Sequence, residues 1–334
     1  MSEAQERLST RLQALFQRLA EYQVDAYLVL SADAHLNEYV PIYQRRRDAI
    51  TGFTGSAGDA LLCPEGSHVF VDSRYYLQAE QEVEATLFRV HKVGMEGEHT
   101  LSSWLTEMEK QRGSLRLGFD PFTVAIDTHA AYVNALTAPA SALVPQPVNP
   151  IDAVWDDQPE APAQPIYALP AEVTGCTVAD KLTAIREQMT QAGAEVLILT
   201  KLDDIAWVTN LRGNDVSHNP VFEAYLVLEQ EQATCFTRVM PGPDIQQEMA
   251  AQITFQPYSA YTTAVQHLGA TPQRCVWLDT SATTMGTRLL LAESQRLHTA
   301  RNPVVLMKAL KNTAEIAAMR NAHVHAAAAK AALN

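Results

Sequence analysis

Cysteine is scarce in this sequence, and its few copies are never paired. Cys63, Cys176, Cys235 and Cys275 lie far apart, and none forms a C-x-x-C spacing. That pattern excludes a disulfide scaffold and fits a reducing compartment. Cys63, Cys235 and Cys275 stand in or beside apolar runs, where a free thiol acts as a small hydrophobe. Long apolar runs are missing as well: no stretch approaches the ~18–20 residues that a membrane-spanning helix needs. The opening segment, Met1-Ser2-Glu3-Ala4-Gln5-Glu6-Arg7, is polar and has no apolar signal core, so a cytoplasmic location is expected. Positive charge is also short, with 25 Lys and Arg against 38 Asp and Glu and a net charge of −13. A surface this acidic repels phosphate, which argues against nucleic acid and anionic membranes as partners.

What is present is enough for sizeable cores. Hydrophobic residues make up 47% of the chain and charged residues 19%, and 334 residues is more than one domain usually holds. Leu8, Leu12, Leu15, Phe16 and Leu19 are spaced as one face of an amphipathic helix. A buried-strand run follows from Val24 to Leu30. After it come a polar loop from Ser31 to Arg47 and the glycine-punctuated stretch Gly52-Phe53-Thr54-Gly55-Ser56-Ala57-Gly58. Strands 60–63 and 68–71 are expected to form a hairpin about Pro64-Glu65-Gly66.

The same order returns about 170 residues later. Thr177 and Asp180 form a capping box ahead of Leu182, Ile185 and Met189 on one helical face. The run Val196 to Leu199 precedes a polar loop beginning Lys201-Leu202-Asp203-Asp204. Runs 224–228 and 234–236 then make a second hairpin, and Asp203 stands where Asp33 stood. The fold class is therefore α/β: two duplicated domains, each a mixed sheet flanked by helices. The expected boundaries are 1–150, 151–301 and 302–334. The second domain opens on a stiff linker containing Pro159, Pro162 and Pro165, which Trp155 should anchor. In the last segment Asn312 should cap a helix with Glu315 three residues on. Its alanine-rich continuation, 326–332, is built for close approach to something absent from the chain.

Several clusters look chemical. Gly52 to Gly58 lacks the G-x-x-x-x-G-K-[ST] order of a phosphate loop, so tight backbone geometry is the better account. Ser56 is outside a G-x-S-x-G elbow. Asp33, His35 and Glu38 are metal-ligand types in one loop, although hydrogen bonding of the turn explains them more simply. Asp215 and His218 read as a loop lock. His323 and His325 point about 200° apart on a helix and cannot clasp one ion, so one should pack and one face solvent. Arg47 and Arg74 are placed in polar loops beside strand ends, where a guanidinium fork binds carboxylates well. No set combines nucleophile, base and orienter, so catalysis by this chain alone is not expected.

The loops carry a resemblance. Ser31-Ala32-Asp33-Ala34-His35-Leu36-Asn37-Glu38-Tyr39 resembles the opening signature of the three-domain Xaa-Pro aminopeptidases. Arg46-Arg47, the glycine stretch and Asp72-Ser73-Arg74-Tyr75-Tyr76-Leu77-Gln78-Ala79 continue it in order. Leu202-Asp203-Asp204-Ile205-Ala206-Trp207, Asn210-Leu211-Arg212-Gly213-Asn214-Asp215 and His218-Asn219-Pro220-Val221-Phe222 resemble its second domain. Lys308-Ala309-Leu310-Lys311-Asn312, with Glu315 and Met319 to His323, resembles the leading helix of its third. The departures are Asn37 for serine, Ser73 for glycine and Ala326 for aspartate.

This resemblance implies two creatinase-like N-terminal domains plus the start of a pita-bread catalytic domain. It implies a parent hydrolase that removes the residue preceding proline from peptides whose second residue is proline. That parent would be a homodimer using two divalent metals, expected to be manganese. No metal ligand maps onto this chain, so no cofactor is expected in it and it is read as truncated and inactive alone. Its domains would wall the cleft, limit substrate size and help form the dimer, with Arg74, Tyr75 and Arg47 as the cleft candidates. The alternatives are a stand-alone peptide- or partner-binding module and an independent hydrolase.

Overall fold

We describe a computed structural model of the chain, in which residues 3–333 are defined. The elements in order are α1 (Glu3–Glu21), β1 (Ala26–Val29), α2 (Arg46–Thr51), β2 (Asp59–Leu62), β3 (Ser67–Val71), α3 (Tyr76–Glu82), β4 (Phe88–Lys92), α4 (Leu101–Arg112), β5 (Arg116–Phe119), α5 (Ile126–Ala135) and β6 (Ala142–Pro145). There follow β7 (Tyr167–Ala168), α6 (Ala171–Thr174), α7 (Val178–Gln191), β8 (Val196–Leu199), α8 (Leu202–Thr209), β9 (Leu211–Arg212), β10 (Ala224–Glu229), β11 (Ala233–Thr237), α9 (Pro243–Met249), β12 (Thr254–Pro257), α10 (Tyr261–Gly269), β13 (Val276–Leu278), α11 (Met285–Leu290), β14 (Leu297–Thr299), α12 (Pro303–Ala309) and α13 (Thr313–Leu333). The chain divides into two compact units, residues 1–161 with 281–289, and residues 162–280 with 290–334.

In the first unit the six strands are ordered β4-β3-β2-β1-β5-β6. β1 pairs antiparallel with β2 and parallel with β5, so it is central and buried on both faces. That is why its sequence is continuously apolar, without polar alternation. The pleat still sorts its side chains. Tyr27 and Val29 join Leu12, Leu15 and Leu19 of α1 in one core, and Ala26 and Leu28 join Leu101 and Leu105 of α4 in another. Each fully buried Leu contributes about 1.5–3 kcal/mol by leaving water. The β2–β3 hairpin forms as expected, with Leu61 opposite His68.

The second unit repeats the plan strand for strand. Its order is β12-β11-β10-β8-β13-β14, with β8 antiparallel to β10 and parallel to β13. Thr177 caps α7, its Oγ1 accepting from the Asp180 amide at 3.1 Å, and Leu182, Ile185 and Met189 are buried beneath it. On the other sheet face Tyr225 stacks on Tyr261 with ring centroids 3.7 Å apart.

Four local expectations need correction. The segment after β8 is the helix α8, not a loop. Leu202, Ile205, Ala206 and Val208 are buried at helical spacing, and Asp203 and Asp204 occupy the first turn, where carboxylates favour the helix dipole. Arg47 likewise belongs to the helix α2, not to a polar loop. The linker is held by Ile151, which is fully buried, while Trp155 is only half-buried. Its acids Asp156 and Asp157 also pair with Arg11 on α1. On α13 both His323 and His325 are exposed. The Asn312 cap does form: its Oδ1 accepts the Glu315 amide at 2.9 Å, and Glu315 Oε2 accepts the Asn312 amide at 2.9 Å.

Candidate functional site

In the first unit three segments that follow sheet strands converge. The chain leaving β1 turns at Asp33, which is fully buried. Its Oδ1 accepts the amides of His35 at 2.9 Å and Asn37 at 3.0 Å, and its Oδ2 accepts Asn37 Nδ2 at 2.7 Å. The aspartate therefore shapes the turn, as the simpler reading of Asp33, His35 and Glu38 expected. Asp203, its counterpart in the second unit, is instead an exposed first-turn residue of α8 paired with Lys308.

The helix α2 aims Arg47 inward, where it is almost wholly buried. Its Nη1 donates to Ser31 Oγ at 2.9 Å and to the Gly58 carbonyl at 2.8 Å. Its Nη2 donates to Asp48 Oδ1 at 2.9 Å and to the Gly55 carbonyl. The guanidinium lies 4.8 Å from the Phe53 ring centroid. One side chain thus ties together the loop after β1, the helix α2 and the glycine stretch. A planar donor fork suits this task better than a lysine would.

The glycines answer to geometry. Gly52 ends α2 in the left-handed region at φ 77°. Gly55 has no room for a side chain: a Cβ there would lie 2.4 Å from Phe53 Cζ and 2.7 Å from Tyr75 Cδ1. The Phe53 and Tyr75 rings meet edge to face at 5.8 Å, and Ser56 Oγ and Tyr75 Oη are hydrogen-bonded at 2.6 Å. Glu82 of α3 accepts the Thr54 amide and Thr54 Oγ1, both at 2.8 Å. Burial acts to raise the Glu82 pKa, but these bonds and one from Gln78 hold it below the usual carboxylate range.

Arg74 and Tyr75 sit in the turn after β3. Arg74 binds Asp72 through Nε at 3.0 Å and Nη2 at 2.8 Å, and lies 5.2 Å over the Tyr75 ring. These hydrogen bonds hold Asp72 below its ordinary pKa. The Arg74 side chain is nevertheless 60% exposed. Beside these segments is a cavity of about 80 Å³ lined by Ser31, Glu38, Tyr39, Arg45, Arg47 and Ser56. Of the three candidates, then, Arg47 is a buried brace, Tyr75 is half-buried against Ser56, and Arg74 is presented to solvent. The hydroxyl facing Ser56 is the phenol of Tyr75.

Asp215 works as the expected loop lock, its Oδ2 accepting the Glu223 amide at 2.8 Å, while His218 is exposed. The Ser56–Tyr75 and Thr54–Glu82 bonds were not legible in the sequence, because they join segments 19 and 28 residues apart. A histidine cluster was missed for the same reason. His68 Nδ1 and His91 Nε2 are 3.0 Å apart on paired strands, packed against Trp104 of α4.

The architecture defines a class: a duplicated α/β chain, each half a six-stranded mixed sheet flanked by helices. Its sequence matches the profile of the creatinase/prolidase N-terminal domain twice, over residues 11–151 and 157–315. The chain belongs to the creatinase/prolidase N-terminal domain family. It is 34% identical over 330 residues to Xaa-Pro aminopeptidase 2 of Homo sapiens, covering 95% of this chain and 48% of that protein. It is 32% identical over 306 residues to Xaa-Pro aminopeptidase ApepP of Drosophila melanogaster, covering 90% and 49%. The X-prolyl aminopeptidase of Caenorhabditis elegans, a cytosolic enzyme with a di-nuclear active site, is similar in structure. It aligns with a TM-score of 0.87 at 26% identity, covering 96% of this chain and 54% of that one. The chain spans about half the length of the curated relatives it matches.

A di-nuclear centre does not fit the residues described here. Both Asp33 oxygens are taken by turn donors, and among the described residues no group of three or more His, Cys, Asp or Glu could hold a metal. Among the described residues, no helix is long and apolar enough to cross a membrane.

Proposed function

We propose that this chain is the N-terminal, substrate-gating and dimerisation region of a cytoplasmic dimetal Xaa-Pro aminopeptidase. In this reading the parent releases the residue preceding proline from peptides with proline at the second position. Its two metals, proposed as manganese, are held by residues outside this chain. The observation that carries the reading is the match to Xaa-Pro aminopeptidases over nearly the whole chain, in sequence and in structure. The braced loops of the first unit support a gating role. Arg74 and Tyr75 would line the substrate path, with Arg47 positioning them from behind.

A chimera tests it: this chain joined to the part of ApepP that it does not match. Cleavage of an Xaa-Pro tripeptide is expected, and Arg74→Ala should change the KM ratio between a decapeptide and the tripeptide by about tenfold. An active chimera whose length preference ignores both Arg74→Ala and Tyr75→Ala would refute the gating role. Light scattering on the 334-residue chain addresses dimerisation, with twice the chain mass expected and a monomer at all concentrations as the contrary result.

A further inference from the structure

The second unit holds a cavity of about 350 Å³ between α8, the loop 219–221 and the start of α13. Trp207, Pro220, Val221 and Met319 supply apolar wall, and the volume lies in the range of small-molecule sites. Its charge is opposite to that of the protein around it. Lys181, Arg212, Lys308 and Lys311 line it against two carboxylates, Asp203 and Glu315, in a chain of net charge −13.

Most of these charges are already committed. Lys308 pairs with Asp203 and Asp204. Glu315 accepts the Trp207 Nε1 hydrogen bond at 3.1 Å through one oxygen and the Asn312 amide through the other. Lys181 is nearly wholly buried and donates to the Trp207 carbonyl at 2.8 Å, where it closes the end of α8. Burial lowers its pKa to about 8. Arg212 is different. Its Nη1 donates to the Ala206 and Leu211 carbonyls at 2.5 and 2.8 Å, and burial lowers its pKa as well. Glu315 is the carboxylate whose charge acts on both Arg212 and Lys181, and it is already engaged by Trp207 and Asn312. Among the described residues, the other guanidinium nitrogens of Arg212 carry no hydrogen bond within the chain, and a guanidinium fork beside an apolar wall suits a carboxylate.

We propose that this cavity binds a small monocarboxylate carrying an apolar group of amino-acid size, with Arg212 holding the carboxylate and the wall around Trp207 taking the apolar group. Calorimetric titration of the 334-residue chain with N-acetyl-leucine, and with its uncharged amide, tests this. Saturable millimolar or tighter binding of the acid is expected, with the amide and Arg212→Gln each at least tenfold weaker. Acid binding should quench tryptophan fluorescence in the native chain and not in Trp207→Phe. Equal binding of acid and amide would overturn the proposal, as would no saturation by the acid. Inorganic phosphate is the competing anion, and tighter binding of phosphate than of the acid would overturn the carboxylate assignment. If Arg212→Gln fails to fold, the acid-against-amide contrast on the unaltered chain still decides.

Discussion

At the scale of single residues the loops of the first unit are fixed by two unusual requirements. Gly55 is enclosed by Phe53 and Tyr75, so a methyl group must displace one of two packed rings. Gly55→Ala should cost about 1–3 kcal/mol, read as a lowered urea midpoint with unchanged m-value. Arg47 has both terminal nitrogens engaged in a nearly closed site. Arg47→Met leaves two carbonyls, a serine hydroxyl and Asp48 without that donor. It should cost about 3 kcal/mol or more, since each orphaned buried acceptor carries a desolvation penalty. The presence of an arginine at position 47 was legible, but its role was not. Sequence shows a basic residue between polar neighbours. The bonds to Ser31, Gly55 and Gly58 exist only once three segments have folded together.

At the scale of elements, what the sequence exposed was the sheet. β1, β8 and β10 up to Leu228 are continuously apolar because each is buried on both faces, and the hairpin turns carry glycine or short polar links. Helices with a cap signal were equally legible. Thr177→Ala should remove about 1 kcal/mol by stripping the acceptor from the Asp180 amide. The helix α8 was concealed because two acids and a lysine at its start resemble a turn, and its buried stripe is short. The pairing of β3 with β4 was hidden too, and with it the His68–His91 contact. Burial, and then the neighbouring His91 and Arg89 charges, lower His68 to about 4. Burial, with Arg89 and His99, lowers His91 to about 4. Both values lie below the ~6.5 of an unfolded histidine, so the unfolded chain takes up these protons first. Stability from this pair is complete above pH ~6.5 and is lost as pH falls towards 4. Urea unfolding at pH 7.0 and 5.5 should show the fall, and His91→Phe should make it shallower. An unchanged midpoint across that interval would contradict this.

At the scale of the whole molecule, the duplication organises everything else. Two sheets share one strand order and one pattern of pairing directions, yet the equivalent loops have diverged. Asp33 holds a turn in the first unit, whereas Asp203 lies in the first turn of the helix α8 in the second. Such divergence on a common frame is how one fold comes to present two different surfaces. In the reading proposed above, these surfaces serve a reaction carried out elsewhere in a longer parent enzyme. The most direct test of that reading is hydrolysis of an Xaa-Pro tripeptide by the purified 334-residue chain with manganese added. Release of the N-terminal residue should not exceed the metal-only blank. Repeated turnover, proportional to protein and abolished by a chelator, would contradict the account.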